Sequence, residues 1–288
     1  NVIFKGNAEQ IARYAVPCIA NGDKTFVAIS EPSGGSDPAR AIRTRAVRDG
    51  DHYVLNGTKV WITGAGQATW GVVFARTGDP QARGGITSFI VDIGTPGLTL
   101  EPIDVIRSYS PYQLTFEDCR IPVANRLGEE GQGFALAEDW LVHQRVPYAA
   151  TCIGTAQAAL DIALDWARDR ETFGKKLADH QAIQWMLADS EVDLRAARLL
   201  VYQAAWRAER GANIKLEASV AKLFASEAAN RVVDRCVQIL GGMGVAKELP
   251  LERWFRETRI KRIGEGPSEV HRMVIARDLI RNGSREVD

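Results

Sequence analysis

The residues with the clearest capacity for chemistry lie near the C-terminal end, in Arg262-Ile263-Gly264-Glu265-Gly266-Pro267-Ser268-Glu269-Val270-His271-Arg272. A single carboxylate, Glu265, stands between two glycines and is followed by a proline. Glycines let the backbone turn tightly and approach a ligand closely. Pro267 suits the first position of a new helix, and Ser268 and Glu269 then fall in its first turn, where hydroxyl and acidic side chains are favoured. Glu265 is therefore expected to project from a helix-to-helix turn, where a general base would sit. A free glutamate, with a pKa of about 4.3, is a poor base at neutral pH, and exclusion of water raises it. A solvated surface turn would carry the same residues, because carboxylates are mostly exposed.

Other reactive side chains form no such pattern. Cys18, Cys119, Cys152 and Cys236 are scattered, and the four histidines have no ligand spacing, so no metal site is expected and the thiols read as free and buried. Lys+Arg and Asp+Glu total 36 each, a formal net charge of zero, which gives no global pull toward nucleic acid or an anionic membrane. The 288 residues, 45% hydrophobic and 25% charged, are ordinary for a soluble globular protein of about two domains. No apolar run is long enough to span a bilayer. The N-terminus has no signal-peptide pattern and opens without a Met in mid-pattern, which suggests that an N-terminal part is missing.

The elements that must position Glu265 follow from periodicity. Residues 1–25 read as a helix end and loop, with a cap at Asn7-Ala8-Glu9-Gln10 and a stop at Pro17. Strands are expected at Phe26–Ser30, Thr44–Arg48, Tyr53–Leu55, Lys59–Thr63, Trp70–Arg76, Ile86–Val91, Leu98–Ile103 and Tyr112–Arg120, with turns at Asp49-Gly50-Asp51 and Asn56-Gly57. Short strands cut by Gly and Pro suggest a sandwich or barrel. Past Gly131-Gln132-Gly133 the period becomes helical. Helices are expected over Phe134–Arg168, bent at Pro147; over Lys175–Gly211, with Ile183, Met186, Leu187, Leu194, Ala197 and Leu200 as its apolar stripe; and over Ile214–Leu240. A shorter helix is expected over Pro250–Arg262 and a last one over Pro267–Arg281, burying Val270, Val274, Ile275 and Leu279. The fold expected is multi-domain α+β, a central β-barrel over 26–128 followed by an up-down four-helix bundle over 129–288.

Six stretches in order resemble the acyl-CoA dehydrogenase superfamily of flavoenzymes. Ile29-Ser30-Glu31-Pro32-Ser33-Gly34-Gly35-Ser36-Asp37 is similar to its TEPxxGSD loop, and Asn56-Gly57-Thr58-Lys59-Val60-Trp61-Ile62-Thr63 to its NGxKxWIT strand. Phe116-Glu117-Asp118-Cys119-Arg120-Ile121-Pro122 resembles FEDvrVP; Arg170-Glu171-Thr172-Phe173-Gly174 with Gln181 resembles RxxFG…Q. Gln238-Ile239-Leu240-Gly241-Gly242-Met243-Gly244 resembles QxxGGxG, and Glu265-Gly266 the base-bearing EGT turn. Against the family architecture, residues 1–25 resemble the tail of an N-terminal helical domain.

The resemblance implies FAD as cofactor and an acyl-CoA as substrate. Glu265 would take the Cα proton while a hydride leaves Cβ for flavin N5, giving a trans-2-enoyl-CoA. The Glu265 N–H and a ribityl hydroxyl would polarise the thioester oxygen. Ile29 and Ser30 would contact the flavin's pyrimidine edge, Gly35 and Ser36 the flavin and the CoA arm, and Trp61, Ile62 and Thr63 the isoalloxazine. Arg170, Phe173, Gln181, Gln238, Gly241 and Gly242 would hold the FAD pyrophosphate and adenosine of a neighbouring subunit, which implies a homo-oligomer, usually a dimer of dimers. Ser36, Arg145 and Gly266 join Glu265 at the substrate. Gln144 occupies the position where some relatives carry the base, and an amide cannot serve. An electron-transfer flavoprotein would be the partner, and the bacterial cytoplasm or the mitochondrial matrix the compartment.

Two departures stand out. The turn reads Glu-Gly-Pro where Glu-Gly-Thr is common, and Gly-Pro-x-Glu-Val-His resembles a branch with long-chain and less usual members; Arg107–Tyr112 also departs from the family stretch. The acyl chain is left open. Two competing readings remain: an acyl-CoA oxidase or other flavin oxidase on the same scaffold, and a nucleic-acid-associated relative with little turnover. The latter would use Arg253, Arg256, Arg259, Lys261 and Arg262, although Glu252 and Glu257 interleave with that run.

Overall fold

The computed structural model describes residues 2–78 and 85–284. They fall into two compact units, one within 1–105 and 109–140, the other within 106–108 and 141–288.

The first unit opens with short helices α1 (Val2–Lys5) and α2 (Ala8–Gln10). The cap expected at Asn7 forms: its side chain accepts from Gln10 N at 2.8 Å, while its N–H donates to Gln10 Oε1 at 3.1 Å. Pro17 does not end the helix. A π-helical turn (Ile11–Ala15) runs into α3 (Val16–Asn21), and Pro17 sits in the first turn of α3, where a missing N–H costs little.

The strands are β1 (Lys24–Ala28), β2 (Arg45–Asp49), β3 (His52–Thr63), β4 (Ala68–Arg76), β5 (Ile86–Asp92), β6 (Leu98–Pro102), β7 (Pro111–Pro122) and β8 (Arg126–Leu127), with α4 (Pro38–Ala41) between β1 and β2. Asn56-Gly57, which reads as a turn, lies inside β3. The β3–β7 register slips there, and a Cβ on Gly57 would stand 2.7 Å from Thr44 Cα, so the glycine serves a bulge and a close backbone approach. Pairing runs β6-β7-β3-β2-β4-β5-β8, with β1 parallel to β4. Among the described residues the expected barrel is thus not closed by hydrogen bonds: β8 has only two residues, and β6 pairs with β7 alone.

Alternation along β4 and β5 feeds two cores. Val73, Ala75, Phe89 and Val91 join Phe26, Leu55, Leu114 and Phe116 among the strands. Val72, Phe74, Ile86 and Ile90 meet Tyr14, Ile42 and Ala137 from the helical segments.

The second unit is helical. α5 (Gly133–Asp169), which begins in the first unit, stays continuous through Pro147. The helix expected from Lys175 begins later, because β9 (Glu171–Thr172) and β10 (Lys175–Lys176) form a hairpin whose tip holds Phe173 and Gly174 at φ 51° and 74°. α6 (Gln181–Glu209), α7 (Lys215–Leu240), α8 (Leu251–Lys261) and α9 (Ser268–Asn282) follow. Alanines 149, 156, 159, 163 and 167 of α5 face Leu194, Ala197 and Val201 of α6 and Ala221, Ala225 and Ala229 of α7; small residues at helical spacing allow close approach. The α6 stripe predicted from sequence packs on this core. In α9 the expected stripe is displaced: Leu279 is 53% exposed, and the buried residues are Ser268 and His271.

Candidate active site

α8 ends at Lys261, and the chain crosses to α9 through a turn tied by Gly264 N to Ile260 O (3.0 Å) and Ser268 N to Arg262 O (3.0 Å). Pro267 precedes α9 with ψ 157° rather than joining it. Ser268, buried, donates to Glu227 Oε1 at 2.7 Å, and Arg262 pairs with Glu227 at 2.9 Å. Glu265 lies at φ 55°, a left-handed conformation uncommon for a side-chain-bearing residue, and Gly266 follows at φ 92°.

Four side chains hold this turn. Arg145 of α5, itself buried, donates from Nε to Glu265 O at 3.3 Å. Lys222 of α7 donates from Nζ to Gly266 O at 2.7 Å. His271 is fully buried against Gly266, and Tyr148 lies beneath Gly264. Lys261 Nζ stands 4.2 Å from the Tyr148 ring centroid and donates to Thr151 Oγ1 at 3.1 Å.

The electrostatics suit a base. Burial raises Glu265 above the ordinary carboxylate range, against the opposing pull of Arg145, Lys222 and Lys261. Its Oε2 is buried with no hydrogen-bond partner. Burial lowers Lys222 to about 8, and burial together with Arg145 and Lys222 drives His271 down to about 3, so His271 is neutral. Burial lifts the Cys152 thiol to about 11 and keeps it protonated. The array is a carboxylate of raised proton affinity, with one oxygen unengaged, fixed by its own backbone.

In the first unit, the loop 29–37 is fastened to β3 by a buried ion pair. Lys59 Nζ meets Glu31 Oε1 at 2.7 Å and Ile29 O at 3.1 Å; Glu31 also accepts from Arg43 N (2.6 Å) and Thr44 N (3.0 Å). Val60 N donates to Ser30 O at 3.0 Å. Ile29 and Ser30 therefore lie beside the strand that carries Trp61, Ile62 and Thr63. Trp61 is 59% exposed at φ 63°, where the β3–β7 register slips. Thr63 is exposed; Ile62 turns into the core and leaves only its backbone for a ligand. Gly35 and Ser36 are exposed, and a Cβ on Gly35 would meet Ser30 Oγ at 3.4 Å.

In the helical unit, Asp193 bonds Arg231 and Arg235 across antiparallel α6 and α7. Gln181 opens α6, and Gln238, Gly241 and Gly242 lie at the end of α7 and just past it. Arg170 and Phe173 occupy the adjoining α5–α6 connection. All six are exposed, Phe173 by 95%, and a Cβ on Gly241 or Gly242 would meet nothing within 4 Å.

Sequence reasoning quoted Glu31 and Lys59 inside motifs without giving them a task, and it missed Lys222, His271 and Tyr148. A lone Lys among Ala218, Ala221, Ala225 and Ala229 was the available signal for Lys222. Of the basic run, Arg256 pairs with Glu252, Arg262 with Glu227, and Lys261 donates to Thr151 of α5. Among the described residues no His/Cys/Asp/Glu group is placed to hold a metal ion, and no helix is long and apolar enough to cross a membrane.

Comparison with known proteins gives a consistent result. Residues 21–119 match the family model for the acyl-CoA dehydrogenase middle domain, and residues 131–280 that for the acyl-CoA dehydrogenase C-terminal domain. The chain is 46% identical over 281 residues to the mitochondrial short-chain specific acyl-CoA dehydrogenase of Mus musculus, covering 96% of this chain and 68% of that protein. The butyryl-CoA dehydrogenase of Megasphaera elsdenii superposes with a TM-score of 0.92 at 37% identity, over 97% of this chain and 74% of that one. A chain in the solved structure of an electron transferring flavoprotein of Acidaminococcus fermentans superposes with a TM-score of 0.94 at 38% identity, over 98% and 74%.

Proposed function

The chain belongs to the acyl-CoA dehydrogenase family, and from that premise we propose that it oxidises a short-chain acyl-CoA thioester to the trans-2-enoyl-CoA with Glu265 as the base. It is an oxidoreductase, and FAD is its cofactor. The observation that carries the assignment of Glu265 is its carboxylate: one oxygen is buried without a partner, and burial raises its proton affinity. The short acyl chain is inferred from the short-chain and butyryl relatives, in place of the long-chain branch suggested by the Gly-Pro form of the turn.

The residues fit FAD. An exposed aromatic ring (Phe173), an exposed guanidinium (Arg170) and two glycines with open space above them suit a stacked base and a pyrophosphate. Gln181 and Gln238 complete that set; Ile29, Ser30, Gly35, Ser36, Trp61, Ile62 and Thr63 form the set for the flavin ring. Bound FAD supplies the acceptor for the hydride that leaves Cβ. Glu265 takes the Cα proton, so the Cα–Cβ single bond becomes a double bond. The Glu265 N–H donates to the thioester oxygen as charge develops there. Arg145 acts through the Glu265 carbonyl, and Ser36 and Gly266 contact the substrate.

The same reading includes a barrel-like strand domain over 26–128, a four-helix arrangement within 129–288 and a short helical segment over 1–25. It also includes a homo-oligomer that shares FAD sites, an electron-transfer flavoprotein as electron acceptor, and a bacterial or mitochondrial-matrix setting. The test is anaerobic titration of the FAD-loaded protein with a series of saturated acyl-CoAs from butyryl-CoA upward in chain length. Butyryl-CoA is expected to bleach the flavin absorbance most readily, and Glu265→Gln to abolish bleaching while FAD stays bound. Bleaching that survives in Glu265→Gln would refute the base assignment, and rapid reoxidation in air would favour an oxidase.

A further inference from the structure

Two consecutive carbonyls of the base turn are held by cations from different helices: Glu265 O by Arg145 of α5 and Gly266 O by Lys222 of α7. Lys222 is the less expected of the two. It is fully buried on a helix face otherwise made of Ala218, Ala221, Ala225 and Ala229. Burial of an ammonium costs several kcal/mol unless something offsets it. Its hydrogen bond goes not to a carboxylate but to the backbone carbonyl next to the base. That carbonyl belongs to the Gly266–Pro267 peptide, which directly follows two residues in the left-handed region, φ 55° at Glu265 and φ 92° at Gly266. A side-chain-bearing residue stays in such a conformation only when its surroundings fix it.

We propose that Lys222 is the positioning residue for proton transfer at Glu265: its ammonium anchors the Gly266 carbonyl, one peptide beyond the one Arg145 holds at Glu265 O, so that the left-handed Glu265-Gly266 turn stays fixed and with it where the carboxylate points, and it adds positive charge beside that carboxylate. The proposal rests on Glu265 being the base. Its electrostatic half follows from the neighbours. Arg145, Tyr148 and Cys152 face the site from α5, Lys222 and Glu227 from α7, Lys261 from α8 and His271 from α9. Tyr148, Cys152 and His271 are neutral near pH 7, and Glu227 is engaged by Ser268 and Arg262. The local charge beside Glu265 is therefore set by Arg145, Lys222 and Lys261. Removing Lys222 takes away one of three cations and shifts the carboxyl's protonation upward.

The experiment uses FAD-loaded Lys222→Met, Lys222→Gln and Lys222→Arg beside the parent protein. Infrared titration of the carboxyl band that Glu265→Gln removes reads the protonation midpoint without turnover. Steady-state kinetics with butyryl-CoA read kcat and KM separately. The midpoint is expected to rise by about one pH unit in Lys222→Met and Lys222→Gln, and to stay put in Lys222→Arg. kcat should fall roughly a hundredfold in Lys222→Met, with KM little changed, while Lys222→Arg retains most of it. Should Lys222→Met fail to fold, Lys222→Gln carries the same readouts. An unmoved midpoint in the uncharged variants overturns the proposal, as does a loss of kcat matched by equal losses of FAD content and thermal stability. Turnover surviving in Glu265→Gln would instead sink the base reading, and the infrared shift would still report on Lys222 by itself.

Discussion

Replacing Gly264 by alanine probes how tightly the base turn is seated. Gly264 is not a left-handed glycine, so alanine can adopt its backbone. The obstacle is contact: a Cβ there would stand 2.5 Å from Tyr148 Oη, with Tyr148 Cζ next at 3.4 Å and Ile260 O at 3.8 Å. Restoring ordinary contact requires a retreat of about 1 Å by the hydroxyl or the turn. Lys261 Nζ at 4.2 Å and Lys222 Nζ at 5.9 Å from the ring centroid restrict Tyr148, so the turn must share the movement. Overpacking of this kind costs about 1–3 kcal/mol, or roughly 2–12 °C in Tm for a unit of 150–250 residues. A displacement of about 1 Å at the base costs on the order of a hundredfold in kcat. The assay is thermal melting plus stopped-flow anaerobic flavin reduction by butyryl-CoA, run as a double-mutant cycle with Tyr148→Phe. Without Oη the nearest ring atom is already at ordinary contact distance, so Gly264→Ala should be nearly silent in the Phe background, with a coupling energy of about 0.5–3 kcal/mol. An equal penalty in both backgrounds would show that the hydroxyl contact is not what makes this position a glycine.

Two further perturbations test the framework around the site. Lys59→Met leaves Glu31 buried with only the Arg43 and Thr44 N–H groups, which should cost about 3–5 kcal/mol in urea unfolding; adding Glu31→Gln should recover part of it, and a cost no larger than for an exposed pair would contradict the burial. Asp193→Asn tests pH linkage: burial would raise Asp193, but hydrogen bonds from Arg231 and Arg235 outweigh it and hold the folded pKa below the unfolded value of 3.8. A depressed carboxyl pKa contributes stability above the unfolded pKa and loses it as pH falls through the folded one. The Tm gap between parent and variant should therefore be full at pH 5–7, roughly a unit or more above that value, and close in stronger acid. A gap that persists unchanged into that acid range would exclude the ion pairs as its source.

What was legible in the sequence divides along a physical line. β4, β5 and β7 were readable because each is bounded by turn residues and carries several β-branched and aromatic side chains. The α6 stripe was readable from its spacing, and the Glu265 turn from Gly-Glu-Gly-Pro, because these signals are local. The misreadings came where a long-range contact reassigns a local signal. Asn56-Gly57 spells a hairpin, but Gly57 is required by the close approach of Thr44, thirteen residues earlier in the chain. Lys175–Asp179 spells helix, but a hairpin tip with two positive φ values turns the chain back first. Leu279 continues an apolar period, but α9 turns His271 and Ser268 inward because their partners lie on the base turn and on α7. Lys222 is the sharpest case. Its partner is a backbone carbonyl 44 residues away, and a carbonyl has no letter of its own, so composition and spacing around Lys222 report only an anomaly on an alanine face. The proposed base could be picked out from its turn, whereas the residues that hold that turn are distributed over α5, α7 and α9 and meet it only when the helices pack.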